Sequence, residues 1–136
     1  MTFAGLNYLA VVVAAAAAFF FGGIYYRVLT DPWTKAIGIS KKSLKNASPA
    51  PLLIAIVADL VMAWVLAGLI GHLGPGQVTV QNGVVSGAFA WLGFVATTLV
   101  VNNAFGRRKP LLSVIDAGHW LGVLVIMGAI IGAFGV

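Results

Sequence analysis

The sequence contains no cysteine and few charged residues, with only three acidic and eight basic side chains among 136 residues. The missing cysteine excludes disulfides, zinc–thiolate sites and thiol catalysis. Charged residues make up 8% of the chain, whereas a soluble domain carries roughly 25%. With 61% hydrophobic residues, the composition is typical of a helical membrane protein. It argues against a soluble enzyme, a nucleic-acid-binding protein and a disordered chain.

Four apolar runs divide the chain, and each is long enough to cross a hydrocarbon core about 30 Å thick, which takes about 20 residues. We expect one transmembrane domain over residues 1–136, with helices at about 3–27, 51–71, 84–105 and 110–135. Runs of this length form helices because the backbone inside a bilayer must satisfy its own hydrogen bonds. The predicted fold is all-α and integral to the membrane, with four transmembrane helices in two hairpins. The first run exceeds the apolar part of a signal peptide and is predicted to be retained.

The basic residues form two clusters, one after the first apolar run and one between the third and fourth runs. They are Arg27, Lys35, Lys41, Lys42, Lys45, Arg107, Arg108 and Lys109. Both clusters fall on the same side of a four-helix chain, which the positive-inside rule places in the cytoplasm, with both termini outside it. A membrane surface therefore explains the net charge of +5, and no nucleic-acid partner is predicted.

The first loop has one helix signal, since Asp31 and Pro32 are typical of a helix start. Trp33, Ile37 and Leu44 have the spacing of a short amphipathic helix that lies on the lipid headgroups. A solvated loop with ordinary positive-inside charge is the alternative, and the sequence does not separate the two.

Polar side chains inside the predicted helices are the candidates for a site, because ionisable groups at membrane depth usually face a bundle interior or a cavity. The candidates are Asp59, Thr98, Asn102, Asp116 and His119. A helical rise of about 1.5 Å per residue places all five in the cytoplasmic half, with Asp59 about 12 Å from the start of its helix. We therefore expect a polar cluster at one depth in the bundle.

The expected helix faces support this cluster. On the third helix, Thr98 and Asn102 fall on one stripe with Trp91 at helical spacing. Asn103 points elsewhere. Asp116 and His119 are three residues apart, so they share a face of the fourth helix.

Two interpretations of the cluster remain open. The groups either hydrogen-bond across helices and fix the register of the bundle, or form a proton or cation site in which His119 titrates near neutral pH. Asp59 has no Lys or Arg in its own helix, so it is protonated, paired with His119 or bound to an ion. The sequence has no histidine pair at metal-ligand spacing, and no catalytic, cofactor-binding or metal-binding residue is predicted.

Two glycine pairs in the fourth helix, Gly118/Gly122 and Gly128/Gly132, have the spacing that allows close contact between helices. They indicate packing against another helix and are a signal for oligomerisation. Leu124 falls on the remaining side of this helix, which we expect to face lipid.

Several strings in the chain match a known family. They are Asn7-Tyr8-Leu9-Ala10-Val11, Gly22-Gly23-Ile24-Tyr25-Tyr26, Trp91-Leu92-Gly93-Phe94-Val95-Ala96-Thr97-Thr98 with Asn102, Asp116-Ala117-Gly118 and Met127-Gly128-Ala129-Ile130-Ile131-Gly132. Over nearly its whole length the chain resembles a bacterial membrane-protein family catalogued as domain of unknown function 1761. The resemblance implies a four-helix integral membrane protein and carries no activity.

The leading hypothesis is a small multi-pass protein of the bacterial inner membrane that is not an enzyme and needs no cofactor. It would act as a homo-oligomer or as an accessory subunit of a membrane complex, with the lipid bilayer and other membrane proteins as its partners. The alternative is a small proton- or cation-coupled transporter or channel that uses the intramembrane Asp/His cluster. Because a four-helix bundle encloses little volume, transport would require several copies.

Overall fold

The computed structural model describes residues 2–136, which contain helices and no strand. The elements are α1 (Tyr8–Val28), α2 (Thr30–Ile37), α3 (Lys41–Lys45), α4 (Ala50–Gly71), α5 (Val80–Ala90), a π-helical turn (Trp91–Ala96), α6 (Thr97–Phe105) and α7 (Pro110–Phe134). α5, the π-helical turn and α6 join into one continuous helix, Val80–Phe105. We refer to α1, α4, this continuous helix and α7 as the first, second, third and fourth spans.

All four spans are long and apolar enough to cross a membrane. They contain 21 to 26 residues, which corresponds to about 31–39 Å of helix. The first pairs with the second and the third pairs with the fourth as antiparallel neighbours. The prediction of an all-α protein with four membrane-spanning helices in two hairpins is therefore confirmed.

The first and third spans begin at residues different from those predicted. α1 starts at Tyr8 rather than at residue 3, because the side chain of Asn7 accepts a hydrogen bond from the backbone N–H of Ala10 at 3.1 Å and caps the helix. The third span starts at Val80 rather than at residue 84, because Thr79 caps it in the same way.

The fourth span is the central helix of the bundle, and it packs against each of the other three. Its side chains at Val123 and Met127 are fully buried. Leu124, which sequence reasoning placed on the lipid side, is also buried. That expectation was wrong because neighbouring spans cover α7 on more than one side.

Glycine allows the third and fourth spans to meet backbone to backbone. A Cβ atom added at Gly83 would overlap the carbonyl group of Gly128, and one added at Gly132 would overlap that of Thr79. A Cβ at Gly87 would lie 2.9 Å from the carbonyl carbon of Leu124. The second of the predicted glycine pairs is thus used for packing within the chain.

The other glycine pair of α7 faces the first span. Gly118 lies against the hydroxyl of Tyr25, and Gly122 lies against the ring of Phe21. Each of these aromatic side chains occupies the space that a larger residue on α7 would fill. The first span therefore packs closely on the fourth through rings set against glycines.

The two basic loops meet at one end of the bundle, which we call the basic end. The ammonium of Lys109 donates a hydrogen bond to the carbonyl of Lys35 at 3.2 Å. Trp33 and Ile37 of α2 pack against a small cluster that includes Leu112 near the start of α7. The apolar face of α2 is therefore partly covered by the bundle. The sequence had suggested that this face contacts the lipid headgroups.

Candidate functional site

A cavity of about 270 Å³ lies among α1, α4 and α7, in the half of the bundle nearer the basic end. Its walls include Gly22, Gly23, Tyr26, Asp59, His119 and Trp120. Leu52, which is exposed, forms part of its rim. The cavity is thus an apolar pocket that opens on the outside of the bundle and contains two ionisable side chains.

Asp59 and His119 reach the cavity from different helices at matching depths. α4 begins at Ala50 and α7 at Pro110, so each side chain lies about 13–14 Å along its helix from the basic end. Asp59 is only 4% exposed and His119 only 8% exposed. Both are nonetheless wall residues of the cavity.

The Asp59 carboxyl group has no hydrogen-bonding or charged partner within residues 2–136. The sequence left open a direct ion pair between Asp59 and His119, and the two groups are not within 4.0 Å of each other. They face a shared space instead of each other. A buried carboxyl group of this kind is costly in a membrane unless a proton, a cation or a partner offsets its charge.

His119 is held by aromatic rings and not by hydrogen bonds. Its ring centroid lies 4.6 Å from that of Trp120, 4.9 Å from Tyr26, 5.7 Å from Tyr25 and 6.1 Å from Phe21. The Nδ1 atom is buried and has no hydrogen-bond partner in the described part of the chain. An unsatisfied buried nitrogen is rare in proteins and calls for a specific explanation.

Two adjacent glycines of α1 have different roles beside this imidazole. A Cβ added at Gly22 would lie 2.8 Å from Nε2 of His119, whereas one added at Gly23 would meet nothing within 4 Å. Gly22 therefore makes room for the imidazole, and it brings the Nε2 edge of the ring to the wall of the cavity.

Asp116 is oriented away from this cavity by a tyrosine. The hydroxyl of Tyr26 donates a hydrogen bond to Oδ1 of Asp116 at 2.7 Å. The neighbouring hydroxyl of Tyr25 donates to the backbone carbonyl of Ile115, also at 2.7 Å. These two bonds tie the end of α1 to α7 and give the Asp116 carboxyl a partner that Asp59 lacks.

Thr98, Asn102 and Asp116 share a second, more open groove of about 410 Å³ between α6 and α7. The Thr98 hydroxyl donates to the carbonyl of Phe94 at 2.5 Å, within its own helix. Asn102 is exposed on the surface of the bundle. The five candidates from the sequence are thus divided between two places, Asp59 and His119 in the cavity and the other three in the groove.

The π-helical turn explains why Asn103 and not Asn102 faces the fourth span. In a straight α-helix, at about 100° per residue, Asn103 would lie about 120° from Trp91 around the axis. A π-helical turn absorbs about one extra residue, which brings the two within about 20°. Accordingly, Trp91 donates to the carbonyl of Ala117 at 2.8 Å, and Asn103 donates to the hydroxyl of Ser113 at 3.1 Å.

Sequence reasoning did not include Tyr26, Gly22 or Trp120 among the site residues. Tyr26 lies at the end of the first apolar run, where an interfacial tyrosine is expected, and only the packing reveals that its hydroxyl meets Asp116. The small residues at Gly22 and Gly23 were the available signal for space in the bundle. No group of three or more His, Cys, Asp or Glu side chains that could hold a metal ion occurs in residues 2–136.

Comparison with known proteins gives one match. No curated protein and no solved structure matches the chain significantly. A family model described as "Protein of unknown function (DUF1761)" matches residues 9–132, which include all the residues of the cavity and the groove named above. The chain therefore belongs to the DUF1761 family, as the resemblance of its sequence strings predicted.

Proposed function

We propose that this chain is a non-enzymatic, multi-pass protein of a bacterial inner membrane that binds a proton or another cation at Asp59 and His119. In an assembly of several copies it would move that cation across the membrane. The observation that carries the proposal is the shared cavity, where two buried ionisable side chains face an open space with no partner. Sequence reasoning favoured association as the main role, and the geometry of the cavity favours the transport alternative.

The glycine pairs of α7 also favour the transport hypothesis over the association hypothesis. They were the sequence signal for association, yet they pack against α1 and the third span of the same chain. The cavity walls offer no activated nucleophile, because they contain one carboxyl group and one imidazole that lie more than 4.0 Å apart. A binding or coupling role therefore fits these side chains better than a catalytic one.

The proposed orientation places the basic end in the cytoplasm. All eight basic residues belong to the end of α1, to the α2–α3 region and to the loop before α7. Under the positive-inside rule, both termini lie outside the cytoplasm. The cavity then lies in the cytoplasmic half of the membrane.

Proton flux into lipid vesicles tests the transport proposal. Purified chain is reconstituted with a pH-sensitive dye inside the vesicles, and a potassium gradient with valinomycin sets the membrane potential. Wild-type chain should give a flux that Asp59→Asn abolishes, since the amide keeps the shape but cannot carry the proton. Asp116→Asn is the matched control, because it changes a carboxyl group at a similar depth outside the cavity. Equal flux in the wild type and Asp59→Asn would refute the proposal.

Association of two copies is the second candidate, and exposed Asn102 favours it. This side chain lies in the open groove on the outside of the third span. An amide both donates and accepts hydrogen bonds, so two copies related by a two-fold axis can satisfy each other's side chains in lipid. Asn102→Leu should then shift a dimer to a monomer in mild detergent. Val101→Leu, at a neighbouring exposed position, should leave the assembly unchanged.

A further inference from the structure

We propose that the cavity binds a small apolar primary amine in its ammonium form. This inference rests on the proposed function and specifies the class of cation that the site takes. Three features of the cavity point to it, namely its charge, its hydrogen-bonding groups and its walls.

The charge of the cavity calls for a cation from outside the protein. Within residues 2–136, Asp59 is the only acidic wall residue, and no Lys or Arg is among the residues that form the walls. The ion pair formed by the described residues, Asp31 with Lys41, lies in the loop region and not in the bundle. A ligand that brings one positive charge therefore compensates the carboxylate where the chain does not.

Three hydrogen-bonding groups of the cavity can act as acceptors. The Asp59 carboxylate accepts only, and in the tautomer with the proton on Nδ1 the His119 imidazole presents its Nε2 lone pair beside Gly22. The Tyr26 hydroxyl donates its one hydrogen bond to Asp116, so only the lone pairs of its oxygen, which accept, remain for a ligand. A primary ammonium group carries three N–H donors and matches this arrangement. A quaternary ammonium has no N–H, and an alcohol has only one donor and no charge.

The walls are suited to the apolar part of such a ligand. The rings of Phe19, Tyr26 and Trp120 line the cavity, and aromatic faces attract a nearby cation. The volume of about 270 Å³ lies just below the roughly 300–1,000 Å³ of pockets for drug-sized ligands. Because exposed Leu52 is at the rim, a ligand dissolved in the bilayer reaches the cavity between the first and second spans.

Nuclear magnetic resonance of labelled histidine tests the inference directly. The chain contains two histidines; His119 lines the cavity, and His72 lies beyond the opposite end of α4. The full chain is placed in nanodiscs of uncharged phosphatidylcholine and titrated with n-pentylammonium chloride. The His119 signal should shift and saturate while the His72 signal stays fixed. 1-Pentanol and tetraethylammonium should produce no saturable shift.

Variants identify the groups that recognise the amine. Asp59→Asn should weaken the apparent affinity by about ten-fold or more, because the amide oxygen still accepts a hydrogen bond but lacks the charge that strengthens it. Asp31→Asn, which changes a carboxyl group in the α2–α3 region outside the bundle, should leave the affinity unchanged. If Asp59→Asn does not fold, Gly22→Ala provides a second test, since its methyl group would press on the imidazole and should also weaken binding.

The outcomes separate this inference from the proposed function. Equal shifts with 1-pentanol, or unchanged affinity in both Asp59→Asn and Gly22→Ala, would overturn the amine site. If n-pentylammonium does not bind while proton flux still depends on Asp59, the amine inference fails alone. If the amine binds but neither protons nor amine cross the vesicle membrane, the amine site stands and the transport proposal fails.

Discussion

Tyr26 and Asp116 are joined by a 2.7 Å hydrogen bond in which the phenol donates to the carboxyl group. Tyr26 also forms part of the cavity wall, whereas Asp116 forms part of the groove between α6 and α7. The bond therefore divides the polar residues of the bundle into two compartments. Because Tyr26 engages Asp116, Asp59 is the one carboxyl group that the described residues present to the cavity.

Loss of this bond should destabilise the bundle by a measurable amount. Tyr26→Phe removes the hydroxyl and keeps the ring, so the free energy of unfolding in detergent should fall by about 1 kcal/mol, within the range measured for side-chain hydrogen bonds in membrane proteins. Tyr8→Phe, at an exposed position, is the control and should change little. Equal stability of the two variants would show that the bond contributes nothing to the fold.

A single methyl group at the crossing of the third and fourth spans should be poorly tolerated. Gly83→Ala places a Cβ on the carbonyl of Gly128, and we expect a loss of about 1–3 kcal/mol from overpacking. Gly68→Ala, whose Cβ meets nothing within 4 Å, should leave stability unchanged or slightly raise it. Thermal unfolding of both variants in detergent measures the difference. Identical melting temperatures would contradict the close crossing.

The adjacent glycines of α1 should respond differently to the same substitution. Gly22→Ala displaces the His119 imidazole, whereas Gly23→Ala enters open space. The nuclear magnetic resonance signals of His119 should therefore move in the first variant and stay close to the wild-type position in the second. A similar change in both variants would mean that the ring is not held against Gly22.

One pH effect is expected in the loop between the first two spans. The ammonium of Lys41 pairs with the carboxylate of Asp31 and holds the pKa of Asp31 below its ordinary value. Because this pKa is lowered in the folded chain, the pair is intact at neutral pH and is lost as the pH falls through the lowered pKa. Lys41→Met should raise the pKa of Asp31 towards its ordinary value. Carbon NMR of the three acidic residues of the chain detects this change, and an unaltered Asp31 titration would rule the pair out.

Reporter fusions test the orientation of the bundle. Since the positive-inside rule places the basic end in the cytoplasm, alkaline phosphatase fused after Val136 should be active and a green fluorescent protein there should be dark. The reverse pattern is expected for fusions in the α2–α3 region. A fluorescent fusion at the C-terminus would reverse the orientation and place the cavity in the outer half of the membrane.

The number, type and approximate limits of the spans were predictable because length and apolarity determine them directly. The pairing of side chains was less predictable, since it depends on rotation about each helix axis. Thr98 and Asn102 were assigned to the face of Trp91 on the assumption of a straight α-helix, and the π-helical turn moved Asn103 there instead. The residue composition of this segment did not predict a π-helical turn. The turn changes the direction in which every later side chain of the third span points.

The depth of a side chain in the bundle was more predictable than the direction in which it points around its helix axis. Asp59 and His119 were expected at similar heights, because depth follows from the helical rise and the ends of each apolar run. Their failure to pair could not be foreseen, since it depends on the ring packing around His119. The Tyr26–Asp116 bond was missed for a related reason, because it joins two helices that the sequence does not place side by side.

The central position of α7 has a consequence for the order of assembly. During synthesis, the fourth span leaves the ribosome after the other three, although it supplies the surface on which the first and third spans pack most closely. Until it enters the bilayer, the glycines of α5 have no backbone to meet and the His119 imidazole is absent from its place beside Tyr26. A chain truncated before residue 110 would lack the helix against which every other span packs, so its spans should remain loosely associated in the bilayer.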